Sequence, residues 1–167
     1  SATQRMQATQ VMAESDTQCG IKMNLNYFPA SEWFADGPEG KLFGRRHDLG
    51  QFAWLTGVAP PCDLYLGGNQ IPSDENGWSG QNETGWDDEE FNQVCNVALG
   101  TLPGQEGYEE FNLEAQSIFA DNLPVVPLYL RLKLAATRPD MCNFIMDPTA
   151  NSEMWNIEEF DYGACAE

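Results

Sequence analysis

The chain has 167 residues, 42% of them hydrophobic, and a formal charge of −18 from 26 acidic and 8 basic side chains. Its length allows one domain with a real core, and the apolar content excludes a disordered chain. The charge excludes a nucleic-acid partner or an anionic membrane surface, since both need clustered Lys and Arg, and it reads as a solvated surface.

The first predicted element is a short helix over residues 3–14. Ile21, Met23, Leu25 and Tyr27 then alternate with Lys22, Asn24 and Asn26, a period of two that predicts a half-buried strand. Pro29 ends it. Ser31 is the expected N-cap of a helical stretch carrying Trp33 and Phe34, and Asp48–Leu55 reads as a second strand. From Thr56 to Trp86, glycines and prolines break every periodicity. So long a segment without regular structure is characteristic of a binding loop or lid, and Tyr65, Trp78 and Trp86 favour an ordered one.

Asp87 is the expected cap of the next helix, with Glu90 completing a capping box. Phe91, Val94, Cys95, Ala98 and Leu99 give that helix one apolar face, and Gly100 stops it. A further helix is predicted from about Gly107 to Asp121, burying Phe111, Ala115, Ile118 and Phe119. Leu123–Leu130 is a near-continuous apolar run, the pattern of a strand covered on both faces; Pro124 and Pro127 belong at its start or on an unpaired side. Met141–Met146 reads as another extended piece, and the tail from Trp155 to Tyr162 has no obvious internal partner. The order of elements predicts an α/β layered unit with helices on a mixed sheet.

No apolar run approaches the ~20 residues of a membrane-spanning helix, and no basic-then-apolar segment marks a signal peptide. The five cysteines include no Cys-x-x-Cys pair, and His47 is the one histidine; this composition fits an oxidising compartment with one or two disulfides better than a zinc site. A catalytic triad would need His47, which sits just before a predicted strand, and no Gly-x-Ser-x-Gly elbow, Walker loop or dinucleotide fingerprint is present. Asp87 to Glu90 is an acidic run at a helix start, where the helix dipole favours acids. Asp74–Gly77 is only a partial calcium loop, and Asn82-Glu83-Thr84 matches a glycosylation acceptor. Neither metal nor cofactor is expected. Trp54, Trp78 and Trp86 at loop edges offer stacking faces that suit a ligand pocket, or simply pack on the core.

Four stretches in order resemble the C-terminal region of the family 5 extracellular solute-binding proteins, the oligopeptide, dipeptide and nickel group of ABC-importer receptors. They are Gly20–Leu25, Asp48 through Trp54, Trp86 through Asn92, and Leu123–Tyr129, the last followed by Arg138-Pro139 and Asp147-Pro148. The resemblance spans about residues 5–162. It implies a lobe of the type II periplasmic-binding-protein fold covering residues 1–167 as a single domain, with the other lobe absent and the tail, residues 150–167, extended towards it. It also implies a non-catalytic protein, exported to the periplasm or cell exterior, and it allows a lipid anchor at an N-terminus outside this chain. Such a protein captures a peptide or other small polar solute and delivers it to a membrane permease. A secreted interaction or glycan-binding module is the alternative.

By the same resemblance Trp54 stands where a cleft-lining Trp occurs, with Thr56, Gly57 and Trp86 as further ligand-binding candidates. Peptide-binding members carry an acidic residue for the ligand's amino terminus where this chain has Gly57. A buried ammonium without a charged partner is costly, so Gly57 opens the way to solutes other than free-amino peptides. Spacing does not fix disulfide connectivity. Cys62 with Cys95 would staple the long loop to the following helix, worth roughly 3–4 kcal/mol on the entropy model. Cys142 with Cys165 would tether the tail, leaving Cys19 over.

Overall fold

The computed structural model describes residues 3–54, 62–129, 134–147, 150 and 152–165. Within the span read as one domain the chain divides into two compact units, Ser1–Phe52 with Asp63–Pro124, and Ala53–Cys62 with Val125–Glu167.

The first unit is helical. Helix α1 covers Thr3–Gln18, four residues beyond the expected end, and buries no residue. No breaker interrupts its polar last turn until Gly20, whose φ of 79° is a left-handed value that glycine adopts without strain. The extended segment after it keeps the anticipated alternation only at its centre, with Met23 and Leu25 half-buried between exposed Lys22, Asn24 and Asn26, while Ile21 and Tyr27, expected on the buried face, are exposed. It forms no strand, because none of the described residues lies alongside it to complete a ladder. Helix α2, Ala30–Trp33, is capped by Pro29 rather than Ser31. The carbonyl of Trp33 accepts the N–H of Leu42, which is fully buried, and its ring stacks on Phe28 and tilts against His47. His47 turns Nδ1 to the carbonyl of Lys41 at 2.9 Å, a packing role. The strand expected over 48–55 is absent through residue 54, and Leu55 lies outside the described residues.

Helices α3, Glu89–Gly100, and α4, Tyr108–Asn122, pack together as the centre of this unit. Phe91, Cys95 and Ala98 of α3 and Ala115 of α4 are buried, on the anticipated faces; Leu99 falls to the outside. The cap of α3 is Asp88, whose carboxylate accepts the N–H of Phe91 at 2.8 Å, and not Asp87. Leu123 closes α4 in a left-handed conformation.

The apolar run after it is the main correction to the sequence reading. Residues 123–129 are not a buried strand: Val126 is 64% exposed, and Leu128 and Tyr129 are exposed as well. Two prolines remove ladder donors from the run, and among the described residues no strand accepts the rest. Leu130 lies outside the described residues.

The second unit holds the only β-structure among the described residues. Strand β1, Met141–Cys142, pairs antiparallel with β2, Asp161–Tyr162, in the register Met141 to Tyr162 and Cys142 to Asp161. Over the described residues the chain holds helices and this one small ladder, and the layered mixed sheet is not seen there. The tail does have internal partners. Trp155 Nε1 donates to the carbonyl of Ile145 at 2.9 Å, Asn143 Nδ2 to that of Glu159 at 2.7 Å, and the Phe144 and Phe160 rings meet at 5.8 Å. Cys142 is bonded to Cys165, as considered from sequence.

Candidate functional site

The long loop is ordered over its described part, 62–86, by short 3-10 turns at Cys62–Tyr65, Gly68–Gln70 and Asp74–Asn76. Asparagine side chains replace the missing secondary structure. Asn82 is fully buried and its Nδ2 donates to the carbonyls of Tyr65, Leu66 and Trp86 at 3.1, 3.0 and 2.7 Å. Its Oδ1 accepts the Thr84 hydroxyl, which in turn accepts the N–H of Trp86. Asn76 works the same way at the other end, accepting from Ser73 N and donating to the carbonyls of Asn69 and Ile71. Buried loop backbone must be satisfied somewhere, and here two amides do it. Burial also excludes Asn82 as a glycosylation acceptor.

Gly67 fixes where the loop meets α3. Its N–H donates to Asn92 Oδ1 at 2.8 Å, Asn92 Nδ2 donates to Asp87 Oδ1 at 2.8 Å, and a Cβ on Gly67 would collide with the Asp87 carboxylate. Asp87 is thus held against the loop, leaving Asp88 to cap the helix. Trp78 Nε1 donates to Asp74 Oδ1, so that partial calcium loop is occupied by an indole. Among the described residues no group of His, Cys, Asp or Glu is arranged to hold a metal.

Beneath the loop lies an aromatic cluster. Trp86 is tilted on Phe91 at 4.7 Å and edge-on to Phe119 at 5.9 Å, and Tyr65 meets Phe119 at 4.9 Å. Glu83 is buried here at 2% exposure. Burial pushes the Tyr65 hydroxyl up to about 12, and the nearby Glu83 carboxylate adds to the rise.

Of the ligand-binding candidates, Trp86 spends its ring on this cluster and is half-buried. Trp54 is half-buried in the second unit. Thr56 and Gly57 lie outside the described residues. All four nominated cysteines, Cys62, Cys95, Cys142 and Cys165, are disulfide-bonded, and Cys19 is free and exposed. The sequence reading missed Asn82, Asn76 and Gly67. A buried Asn announces itself only weakly in a loop already rich in Asn and Gly.

The probable ABC transporter periplasmic-binding protein SapA of Escherichia coli (strain K12) is 31% identical over 119 residues, 71% of this chain and 21% of that protein. The oligopeptide-binding protein OppA of Bacillus subtilis (strain 168) is 30% identical over 89 residues, 53% of this chain and 15% of that protein. The crystal structure of an oligopeptide-binding protein from Thermus thermophilus, complexed with a pentapeptide, superposes with a TM-score of 0.71 at 27% identity, covering 84% of this chain and 24% of that one. No protein-family model matches. The chain matches a segment of the family 5 extracellular solute-binding proteins, and the matches take in 15–21% of the length of the curated relatives.

Proposed function

We propose that this chain is part of the solute-binding component of an ABC import system. The component captures a peptide, or another small polar solute, between two lobes and hands it to a membrane permease. The observation that carries the reading is the agreement of fold and sequence, over 84% of the chain, with an oligopeptide-binding protein holding a pentapeptide. The protein works outside the cytoplasm, in keeping with its bonded cysteines, and performs no chemistry on the solute.

In this reading the segment is most of one lobe of a type II binding-protein fold. The extended stretch after α1 and the exposed apolar run at 123–129 are not strands in this chain alone; they become strands of a mixed sheet when the rest of a longer protein supplies their neighbours. Trp54 supplies the stacking face for the solute. Thr56 and the backbone at Gly57 supply polar contacts, and Trp86 supports the loop from below. Without an acid at position 57, the solute's amino terminus is not the chief anchor.

The test is a thermal-shift screen of the longer protein that contains this segment, against short peptides with free and blocked amino termini, oligosaccharides and nickel. A ligand of the native state raises its apparent stability. Peptides of both kinds should do so. A response to free-amino peptides alone would overturn the reading of Gly57, and a response to oligosaccharides alone would overturn the peptide assignment.

A further inference from the structure

We propose that the Cys142–Cys165 disulfide is a redox latch: it straps the C-terminal tail over the second unit and thereby builds a groove that the reduced protein lacks.

The groove, of about 420 Å³, is lined by Arg138, Met141 and Phe144 together with Glu153, Met154, Phe160 and Tyr162 from further along the chain. The part of its lining given by Phe160 and Tyr162 depends on the tail being docked. Little else docks it. The ladder is two residues long, and among the described residues of this unit only Cys142 and Asn156 are buried. Among the described residues the other ties are single hydrogen bonds, including Gly163 N to the Asp140 carbonyl, Asn143 Nδ2 to that of Glu159, Asn156 Nδ2 to that of Asn143 and Trp155 Nε1 to that of Ile145, with the Phe144–Phe160 contact and Arg138 stacked over the Tyr162 ring. A ladder this short with so little buried surface is marginal alone. Joining residues 23 apart in sequence removes much of the tail's freedom.

The bond is also accessible. Cys165 is exposed, whereas Cys95, another of the bonded cysteines, is fully buried. A dithiol reductant attacks Sγ of Cys165 as its thiolate, displaces Cys142 and forms a mixed disulfide. Its second thiolate then releases Cys165. The reductant leaves oxidised to a disulfide, and its two protons end on the Cys142 and Cys165 thiols. This latch is independent of what solute the protein binds.

Hydrogen exchange on the full chain tests it, comparing the oxidised protein with the Cys142→Ser, Cys165→Ser double variant. Protection over 140–145 and 156–163 should fall roughly a hundredfold, the scale expected for a closed loop of this size, while α3 and α4 keep theirs. Unchanged protection, loss extending through α3 and α4, or no protection there in the oxidised chain would each overturn the proposal. In the unsubstituted chain, graded dithiothreitol followed by alkylation should label Cys142 and Cys165 before Cys62 and Cys95. The reverse order would also overturn it.

Discussion

Asn82 Nδ2 donates to the carbonyl of Trp86 at 2.7 Å, and through that bond one buried amide sets the position of the ring on which α3 and α4 meet. The same amide holds Tyr65 and Leu66 on the opposite limb of the loop. Replacing it with Ala strands three part-buried carbonyls at once. Asn82→Ala should cost about 2–4 kcal/mol, read as a lower midpoint in denaturant. A cost below about 0.5 kcal/mol would mean that the loop does not depend on this amide. Expressed in a glycosylating host, the unsubstituted chain should carry no glycan at Asn82 by mass.

Gly67 and Asp87 are predicted to be coupled. Gly67→Ala drives a methyl into the Asp87 carboxylate and should destabilise the protein. Asp87→Ala makes room and should recover part of that loss, so the double variant is less destabilised than the sum of the two singles. Residues in contact typically couple by about 0.5–3 kcal/mol; strict additivity would place Asp87 elsewhere. Asp88→Ala, by contrast, removes a helix cap worth about 1 kcal/mol and should add independently of Gly67.

The Tyr65 hydroxyl makes stability fall at alkaline pH. Its folded value, about 12, lies above the ordinary value of 10.0, so the folded protein holds this proton more tightly than the unfolded one. The stabilisation is whole below about pH 10 and is lost as pH rises towards 12. Denaturation midpoints measured across that window should drop more steeply for the unsubstituted chain than for Tyr65→Phe. Equal slopes would show that the burial of this hydroxyl contributes nothing.

Alkylation without reductant should label one thiol, Cys19, and five after reduction and unfolding. More than one label on the native, unreduced protein would contradict the bonded state of the other four.

These sites differ in how far the sequence disclosed them. The apolar faces of α3 and α4 were legible because a helix satisfies its own backbone, so periodicity alone says which side is buried. Phe91, Cys95, Ala98 and Ala115 are where that pattern puts them. Strands are different, since a period of two marks a face but not a neighbour. Met23 and Leu25 turn inward as expected, yet no ladder forms around them among the described residues, and Val126 is exposed although its run reads as doubly covered. The cap at α3 missed by one residue because Asp87 and Asp88 are chemically alike, and only the packing of Asp87 against Gly67 separates them. Asn82 was invisible as a hub because the carbonyls of Tyr65 and Leu66 that it joins lie 17 and 16 residues back.

The two tryptophans assigned to the solute reading separate cleanly. Trp86→Ala opens the aromatic cluster and should cost about 2–4 kcal/mol of stability, towards the lower part of the range for truncating a large aromatic because the ring is half-buried. Whatever affinity it loses should follow that stability loss. Trp54→Ala should weaken solute binding about tenfold or more, beyond what any stability loss from its half-buried ring accounts for, as expected for a stacking contact with the ligand. A Trp54 variant that loses stability and keeps affinity would remove Trp54 from the solute site.

The most direct measurement is calorimetric titration of the longer protein containing this segment with short peptides. Saturable binding of at least one peptide, weakened by Trp54→Ala, is the predicted result. Heat-silent titrations across peptides of different length and charge, with the protein folded throughout, would contradict the assignment of this chain to a peptide-capturing importer component.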